Sequence, residues 1–145
     1  MIRPGTGKTS TLVEAMKQLL KRSEKCRILA CAPSNSAADL IAEKMTYLGP
    51  NGLFRLNSLA RPVTQLDKTK ILKPFSLIND NTTFAIPPLE VLQKYRVIVS
   101  TCVSGGVPFG LGFSRGHFSH IFIDEAGQAT EPETMVCKFC HPLRG

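Results

Sequence analysis

Residues 4–9 read Pro-Gly-Thr-Gly-Lys-Thr, and no other segment constrains the fold of this chain as strongly. They fit most of the phosphate-binding pattern G-x-x-x-x-G-K-[ST], in which backbone N–H groups surround phosphates, the lysine reaches the outer oxygens and the hydroxyl binds Mg²⁺. Gly7, Lys8 and Thr9 match, whereas Ile2 occupies the position of the first glycine. Such a loop normally joins a strand to a helix, so we expect an α/β fold with a parallel sheet. Only Met1 precedes the pattern, so we expect that sheet to be truncated at its N-terminal end.

Apolar periodicity predicts helices and buried strands in alternation after this loop. Residues 9–22 and 34–45 repeat apolar side chains at helical spacing, and Ser34 is placed to cap the second helix. Residues 89–94 predict a short helix, and apolar runs at 27–32, 96–102 and 121–123 predict buried strands. Residues 49–88 consist of short polar and proline-containing pieces with a predicted strand at 53–56. We expect residues 49–88 to form an irregular insertion on the surface.

Two carboxylates follow the last predicted strand. Asp124 and Glu125 stand at its C-terminal end, which is the edge where ligands bind in open α/β sheets. A carboxylate in that place can help to hold Mg²⁺, and its neighbour can orient or deprotonate an attacking water. Alone, the pair would usually be a solvated strand end. Together with the loop at residues 4–9, it predicts a nucleotide site.

The composition is compatible with this interpretation. The 145 residues are 43% hydrophobic, which is enough for one domain with a core, and the net charge of +7 suits a partner that carries phosphates. No apolar run approaches the roughly 20 residues that span a bilayer, and no secretory signal is evident. We therefore expect a cytoplasmic or nuclear protein without a membrane partner.

The cysteines allow several interpretations near the C-terminus. Five are present, and without an export signal we expect reduced, mostly buried thiols. Cys137, Cys140 and His141 match the haem-attachment pattern C-x-x-C-H and also offer three zinc ligands. A chance tail sequence, a zinc half-site completed by another chain and haem attachment all remain open.

Three further segments carry a family resemblance. Residues 32–39, 99–102 and 123–129 resemble motifs Ia, Ic and II of superfamily 1 helicases of the Up-frameshift-like group, and they follow the phosphate loop in the expected order. Residues 55–57, 95–98 and 117–127 are most similar to the Armitage and silencing-defective branch of RNA helicases. The resemblance implies a P-loop NTPase (RecA-like) fold, with a partial first motor domain over residues 1–136. The tail at residues 137–145 does not resemble the family.

The resemblance also implies roles for individual residues. Catalysis would use Glu125 and Lys8, with Mg²⁺ bound by Thr9 and Asp124. ATP would contact Gly5, Thr6, Gly7, Lys8, Thr9, Ser10 and Gln128. RNA would contact Pro33, Ser34, Asn35, Ser100 and Thr101. Arg55 and Arg61 either add electrostatic contact with RNA or are simply exposed.

The resemblance implies a fragment of an ATP-dependent RNA helicase. Its parent would couple ATP hydrolysis to unwinding of, or movement along, single-stranded or duplex RNA in the cytoplasm or its ribonucleoprotein granules. RNA silencing or RNA turnover, with RNA-silencing proteins as partners, is the expected setting. The fragment alone is expected to be inactive or to hydrolyse ATP weakly, because no arginine finger is present. Two alternatives stay open: an inactive fragment that binds RNA or a protein partner, and a DNA helicase or other P-loop ATPase.

Overall fold

A computed structural model describes residues 6–68, 70–80 and 82–124, apart from the side chains of residues 6–8, 67 and 68. This part of the chain contains four helices and six strands, with short 3₁₀ turns between some of them. The helices are α1 (Thr6–Arg22), α2 (Asn35–Lys44), α3 (Leu89–Leu92) and α4 (Val107–Gly110). The strands are β1 (Ile28–Ala32), β2 (Leu53–Arg55), β3 (Ile78–Asn79), β4 (Thr83–Phe84), β5 (Val97–Thr101) and β6 (His120–Ile123). None of the helices in these ranges is long and apolar enough to cross a membrane.

The central sheet is parallel and has the order β2-β5-β1-β6. Strand β1 lies between β5 and β6, with Ala32 opposite Thr101 and Cys31 opposite Ile123. Every residue of β1 is buried, because helices and loops cover both faces of a parallel sheet. The predicted parallel α/β fold is confirmed.

Each face of the sheet has its own hydrophobic core. Alternate residues of β1 point to opposite faces, so Ile28 and Ala30 pack under α1 and α2, whereas Leu29 packs on the other side. The first core also contains Met16 of α1 and Ile41 of α2, both fully buried. The second core is aromatic and includes Phe54, Phe113 and Phe118. These cores fix the helices that carry the motif residues against the sheet.

The segment at residues 49–88 is irregular, as expected, but the expectation that it lies on the surface is wrong. Its strand β2 forms one edge of the parallel sheet and pairs with β5, and all three of its residues are buried. Leu66, Leu72, Phe75 and Phe84 join the core beneath α1 and α2. The sequence did not indicate this burial, because the apolar residues are separated by 3₁₀ turns and by a hairpin with two-residue strands and so follow no regular period.

A buried ionic network ties this segment to α2. Asp39 of α2 accepts from Arg55 Nε at 2.9 Å through Oδ1 and from an Arg61 Nη at 2.6 Å through Oδ2. Arg55 also donates to its neighbouring Leu56 carbonyl at 2.6 Å, and Arg61 donates to Asn57 Oδ1 at 2.7 Å. Both guanidiniums are buried, so one carboxylate compensates two cations removed from water.

We expect Asp39→Asn to lower the free energy of unfolding by about 3 kcal/mol or more, because removing one partner leaves two buried cations without their countercharge. Urea denaturation of the variant and the unchanged chain measures the difference. Glu24→Gln is the matched control, since it neutralises an exposed carboxylate. Equal stability of the two variants would show that the network contributes nothing.

Candidate functional site

The parallel register brings the ends of three strands together at one edge of the sheet. The Cys102 N–H donates to the Ala32 carbonyl at 2.8 Å, and the Asp124 N–H donates to the Cys31 carbonyl at 2.8 Å. The segments that follow β1, β5 and β6 therefore begin side by side. Ligands in open α/β sheets bind at this carboxyl edge.

Helix α1 brings Thr9, the last residue of the phosphate-binding pattern, to the same edge. Thr9 lies in its first turn and donates from Oγ1 to Asp124 Oδ2 at 3.1 Å. Both residues are only 2% exposed, although 115 positions separate them in the chain. The structure thus joins the two side chains that the resemblance assigns to Mg²⁺.

The donor atoms at this contact fit Mg²⁺. Carboxylate and hydroxyl oxygens are hard ligands, and Mg²⁺ usually takes one or two protein oxygens and completes its shell with water and substrate phosphates. The described residues hold no group of three or more histidine, cysteine, aspartate or glutamate side chains that could form an all-protein metal site. A pair such as Thr9 and Asp124 is suited to a metal ion that arrives with a phosphate ligand.

Several predicted site residues fall outside what the structure describes. They are Gly5, Glu125 and Gln128, the side chains of Thr6 and Lys8, and the tail residues Cys137, Cys140 and His141. Gly7 and the backbone of its neighbours lie in the first turn of α1, and Ser10 is exposed on the same helix. Their assigned roles remain predictions. Cys26 and Cys31 are buried free thiols, as expected, and Cys102 is buried as well.

Most of the residues assigned to RNA lie at the carboxyl edge. Ser34 is exposed and caps α2, because its Oγ accepts from the Ala37 N–H at 3.1 Å. Pro33 and Asn35 are half-buried beside it, and Thr101 is half-buried across the β1–β5 pair. These four residues, which we call the polar rim, lie at or just after the carboxyl ends of β1 and β5, and β1 pairs with the strand that ends just before Asp124.

Ser100 differs from the other four. It is fully buried, and its Oγ donates to the Thr101 carbonyl at 2.9 Å and lies 3.8 Å from Cys31 Sγ. The alternation of a strand explains this position, since neighbouring side chains point to opposite faces. In this conformation Ser100 presents no surface to a nucleic acid.

Arg55 and Arg61 satisfy neither of the two alternatives that the sequence left open. They are 0% and 7% exposed, and both are held by Asp39 instead of facing RNA or solvent. Burial lowers the pKa of Arg55 to about 10 against the opposing effect of Asp39, so the guanidinium stays charged at neutral pH. Asn35 Oδ1 accepts from Arg55 at 3.3 Å, which fixes this rim residue. The spacing of Asn35 and Asp39, four residues apart on a helix, is the signal that could have indicated a shared partner.

The sequence is similar to those of known proteins. A family model described as an AAA domain matches residues 3–70 and, in a second match, residues 57–141. The chain belongs to this AAA domain family.

Relatives of this AAA domain confirm the resemblance to superfamily 1 helicases of the Up-frameshift-like group, the Armitage branch included. The Gallus gallus protein MOV-10, whose name describes a helicase, is 42% identical over 135 residues, which cover 92% of this chain and 14% of the relative. The Homo sapiens RNA helicase Mov10l1 is 38% identical over 138 residues, covering 92% of this chain and 10% of the relative. The Drosophila melanogaster protein armi, named as an RNA helicase, is 33% identical over 150 residues, which cover 92% of this chain and 13% of the relative. The chain thus spans about a seventh or less of the length of these relatives.

We expect Thr9→Val to lower the free energy of unfolding of this AAA domain by about 1–3 kcal/mol, because it leaves a buried carboxylate oxygen without its donor. Thr9→Ser keeps the hydroxyl and should cost less. Chemical denaturation compares both with Thr83→Val, which makes the same change at an exposed position in β4. Indistinguishable stabilities for Thr9→Val and Thr83→Val would contradict the importance of the Thr9–Asp124 contact.

Proposed function

We propose that this chain is the ATP-binding part of the first motor domain of an RNA helicase. The parent protein would couple ATP hydrolysis to unwinding of, or movement along, RNA in the cytoplasm. Its setting would be RNA silencing or RNA turnover, with silencing proteins among its partners. The names of the human and Drosophila relatives support RNA as the substrate.

One observation carries the nucleotide part of the proposal: the buried contact between Thr9 Oγ1 and Asp124 Oδ2. A phosphate loop and a strand-end carboxylate occur often by chance in sequences, but chance does not place their oxygens 3.1 Å apart at the carboxyl edge. Burial also matters, because water excluded from the site cannot weaken the interactions with phosphate oxygens.

The residues would divide the chemistry as follows. Thr9 and Asp124 would hold Mg²⁺, which when bound offsets the negative charge of the phosphate oxygens. Lys8 would contact the outer phosphates, with backbone N–H groups at the start of α1 beside it. Glu125, directly after Asp124, would orient or deprotonate the attacking water, and Gln128 would sense the terminal phosphate.

RNA would lie along the polar rim formed by Pro33, Ser34, Asn35 and Thr101. Hydroxyls, amides and backbone N–H groups at this rim suit contact with phosphates and sugars, which gives affinity without sequence preference. The net charge of +7 adds a salt-sensitive attraction. The polar rim and Asp124 lie at the ends of neighbouring strands. Hydrolysis of the nucleotide would therefore be able to alter the RNA contacts through the carboxyl end of β1.

Magnesium-dependent binding of a fluorescent ATP analogue to the purified chain tests the nucleotide site. We expect saturable binding that weakens about tenfold or more in Lys8→Ala, since a charge-assisted contact with phosphate contributes about 1.5–3 kcal/mol. Chelation of Mg²⁺ should weaken binding as well. Lys25→Ala, at an exposed lysine after α1, is the control and should bind like the unchanged chain. Binding that is insensitive to both Lys8→Ala and chelation would rule out the site.

Fluorescence anisotropy with a single-stranded 20-nucleotide RNA tests the rim. Ser34→Asp keeps the cap of α2, because aspartate also accepts from the backbone at that position, but it places a negative charge where phosphates would lie. We expect a loss of affinity of about fivefold, corresponding to roughly 1 kcal/mol of repulsion near the surface.

The matched control is Ser114→Asp, at an exposed serine in the loop before β6. Equal losses for Ser34→Asp and Ser114→Asp would place RNA elsewhere. Equal affinity for DNA of the same sequence would favour a DNA helicase. RNA binding that ignores both ATP and Lys8→Ala would favour a non-enzymatic binding fragment.

A further inference from the structure

A cavity lies at the opposite edge of the sheet from Thr9 and Asp124. It has a volume of about 290 Å³ and is lined by Lys17, Leu20, Lys21, Tyr47, Leu48 and Arg96. Leu20 lies eleven residues after Thr9 on α1, which places it roughly 17 Å away along the helix axis. Arg96 immediately precedes β5, so the cavity adjoins the amino ends of the strands.

One wall of this cavity, which we call the amino-edge cavity, is held rigidly. An Arg96 Nη donates to the carbonyls of Leu20 at 2.9 Å and Ser23 at 2.7 Å, so the guanidinium closes the C-terminal end of α1. The Arg96 Nε is buried without a hydrogen-bond partner among the described residues. The side chain is therefore a fixed cation with an unused donor.

The rim of the amino-edge cavity is positively charged. Lys17 and Lys21 lie one turn apart on α1, a spacing at which like charges repel. Lys17 Nζ lies 5.3 Å from the centre of the Tyr47 ring, a cation–π distance. Glu14 lies three residues before Lys17 on α1 and accepts from Gln18 Nε2 at 3.0 Å. Its single negative charge offsets only part of the charge of the two lysines. A bound anion would relieve the repulsion between the lysines.

The floor of the amino-edge cavity is apolar. Leu20 is buried, Leu48 is half-buried and the Tyr47 ring is 59% exposed. An inorganic anion would leave this surface wet, whereas a peptide with an apolar side chain would cover it. Protein interfaces commonly combine an apolar or aromatic anchor with complementary charges at the rim.

We propose that the amino-edge cavity binds an acidic peptide segment of a partner protein. An apolar or aromatic side chain of the peptide packs against Leu20, Leu48 and Tyr47, and flanking carboxylates pair with Lys17 and Lys21. The site is distant from the Thr9–Asp124 contact, so the partner binds without displacing nucleotide. This inference rests on the charges and geometry of the cavity and does not depend on the helicase proposal.

Titration of the chain with the peptide fluorescein-Glu-Asp-Phe-Asp-Glu-amide, labelled at its N-terminus, tests the proposal by anisotropy. We expect saturable binding that falls about tenfold or more in the double variant Lys17→Glu, Lys21→Glu and in Tyr47→Ala. The double variant Lys70→Glu, Lys73→Glu changes the net charge equally at exposed lysines of the 49–88 segment and should bind as the unchanged chain does. Replacing the phenylalanine of the peptide by serine should also abolish binding.

Four outcomes would overturn the proposal: no binding of the peptide, equal loss in both double variants, displacement of the peptide by the ATP analogue, and displacement by single-stranded RNA. Circular dichroism of each variant confirms that it is folded before its affinity is compared. Loss of ATP binding by Lys8→Ala with peptide binding intact would separate this site from the nucleotide site. If the unchanged chain binds the peptide but not the ATP analogue, the proposed nucleotide site is wrong and the proposed peptide site is supported.

Discussion

The position of β1 between β5 and β6 determines where the described motif residues of this domain lie. Its backbone pairs in parallel on both sides, so the chain must leave three neighbouring strands at the same edge. Cysteine and alanine in β1 leave room for α1 and α2 on one face and for the aromatic cluster on the other. The polar rim, the carboxylate Asp124 and the start of α1 are adjacent because of this pairing and would separate if its register shifted by one residue.

A single carboxylate has a comparable influence on the irregular part of the chain. Asp39 compensates both Arg55 and Arg61, and through them it fixes β2, Asn57 and the rim residue Asn35. Buried ion pairs often add little to stability compared with well-packed apolar groups, but they penalise every arrangement in which one partner is unpaired. In a segment of 3₁₀ turns and short strands, that penalty selects one conformation where regular hydrogen bonding cannot.

The sequence predicted those parts of the fold that depend on local periodicity. Helices α1 and α2, the Ser34 cap and strands β1, β5 and β6 appear within a few residues of their expected bounds, because each repeats apolar residues at its own period. Local periodicity did not predict the buried state of Arg55 and Arg61, because this state depends on a carboxylate 16 and 22 residues away rather than on neighbouring residues. The burial of Ser100 was not predicted for a related reason. A motif identifies a residue type at a position, but the pleat of the strand determines which face of the sheet its side chain occupies.

The contact between Thr9 and Asp124 also bears on how the domain folds. It closes a loop of 115 residues, and β1 cannot pair with β6 until nearly all of the described chain has been synthesised. Contacts between residues so distant in sequence carry a large entropic cost and form slowly, whereas α1 can form locally. We therefore expect Thr9 Oγ1 and Asp124 Oδ2 to come together late in folding. Any ligand that binds them acts on the completed fold and pulls the equilibrium toward it by mass action.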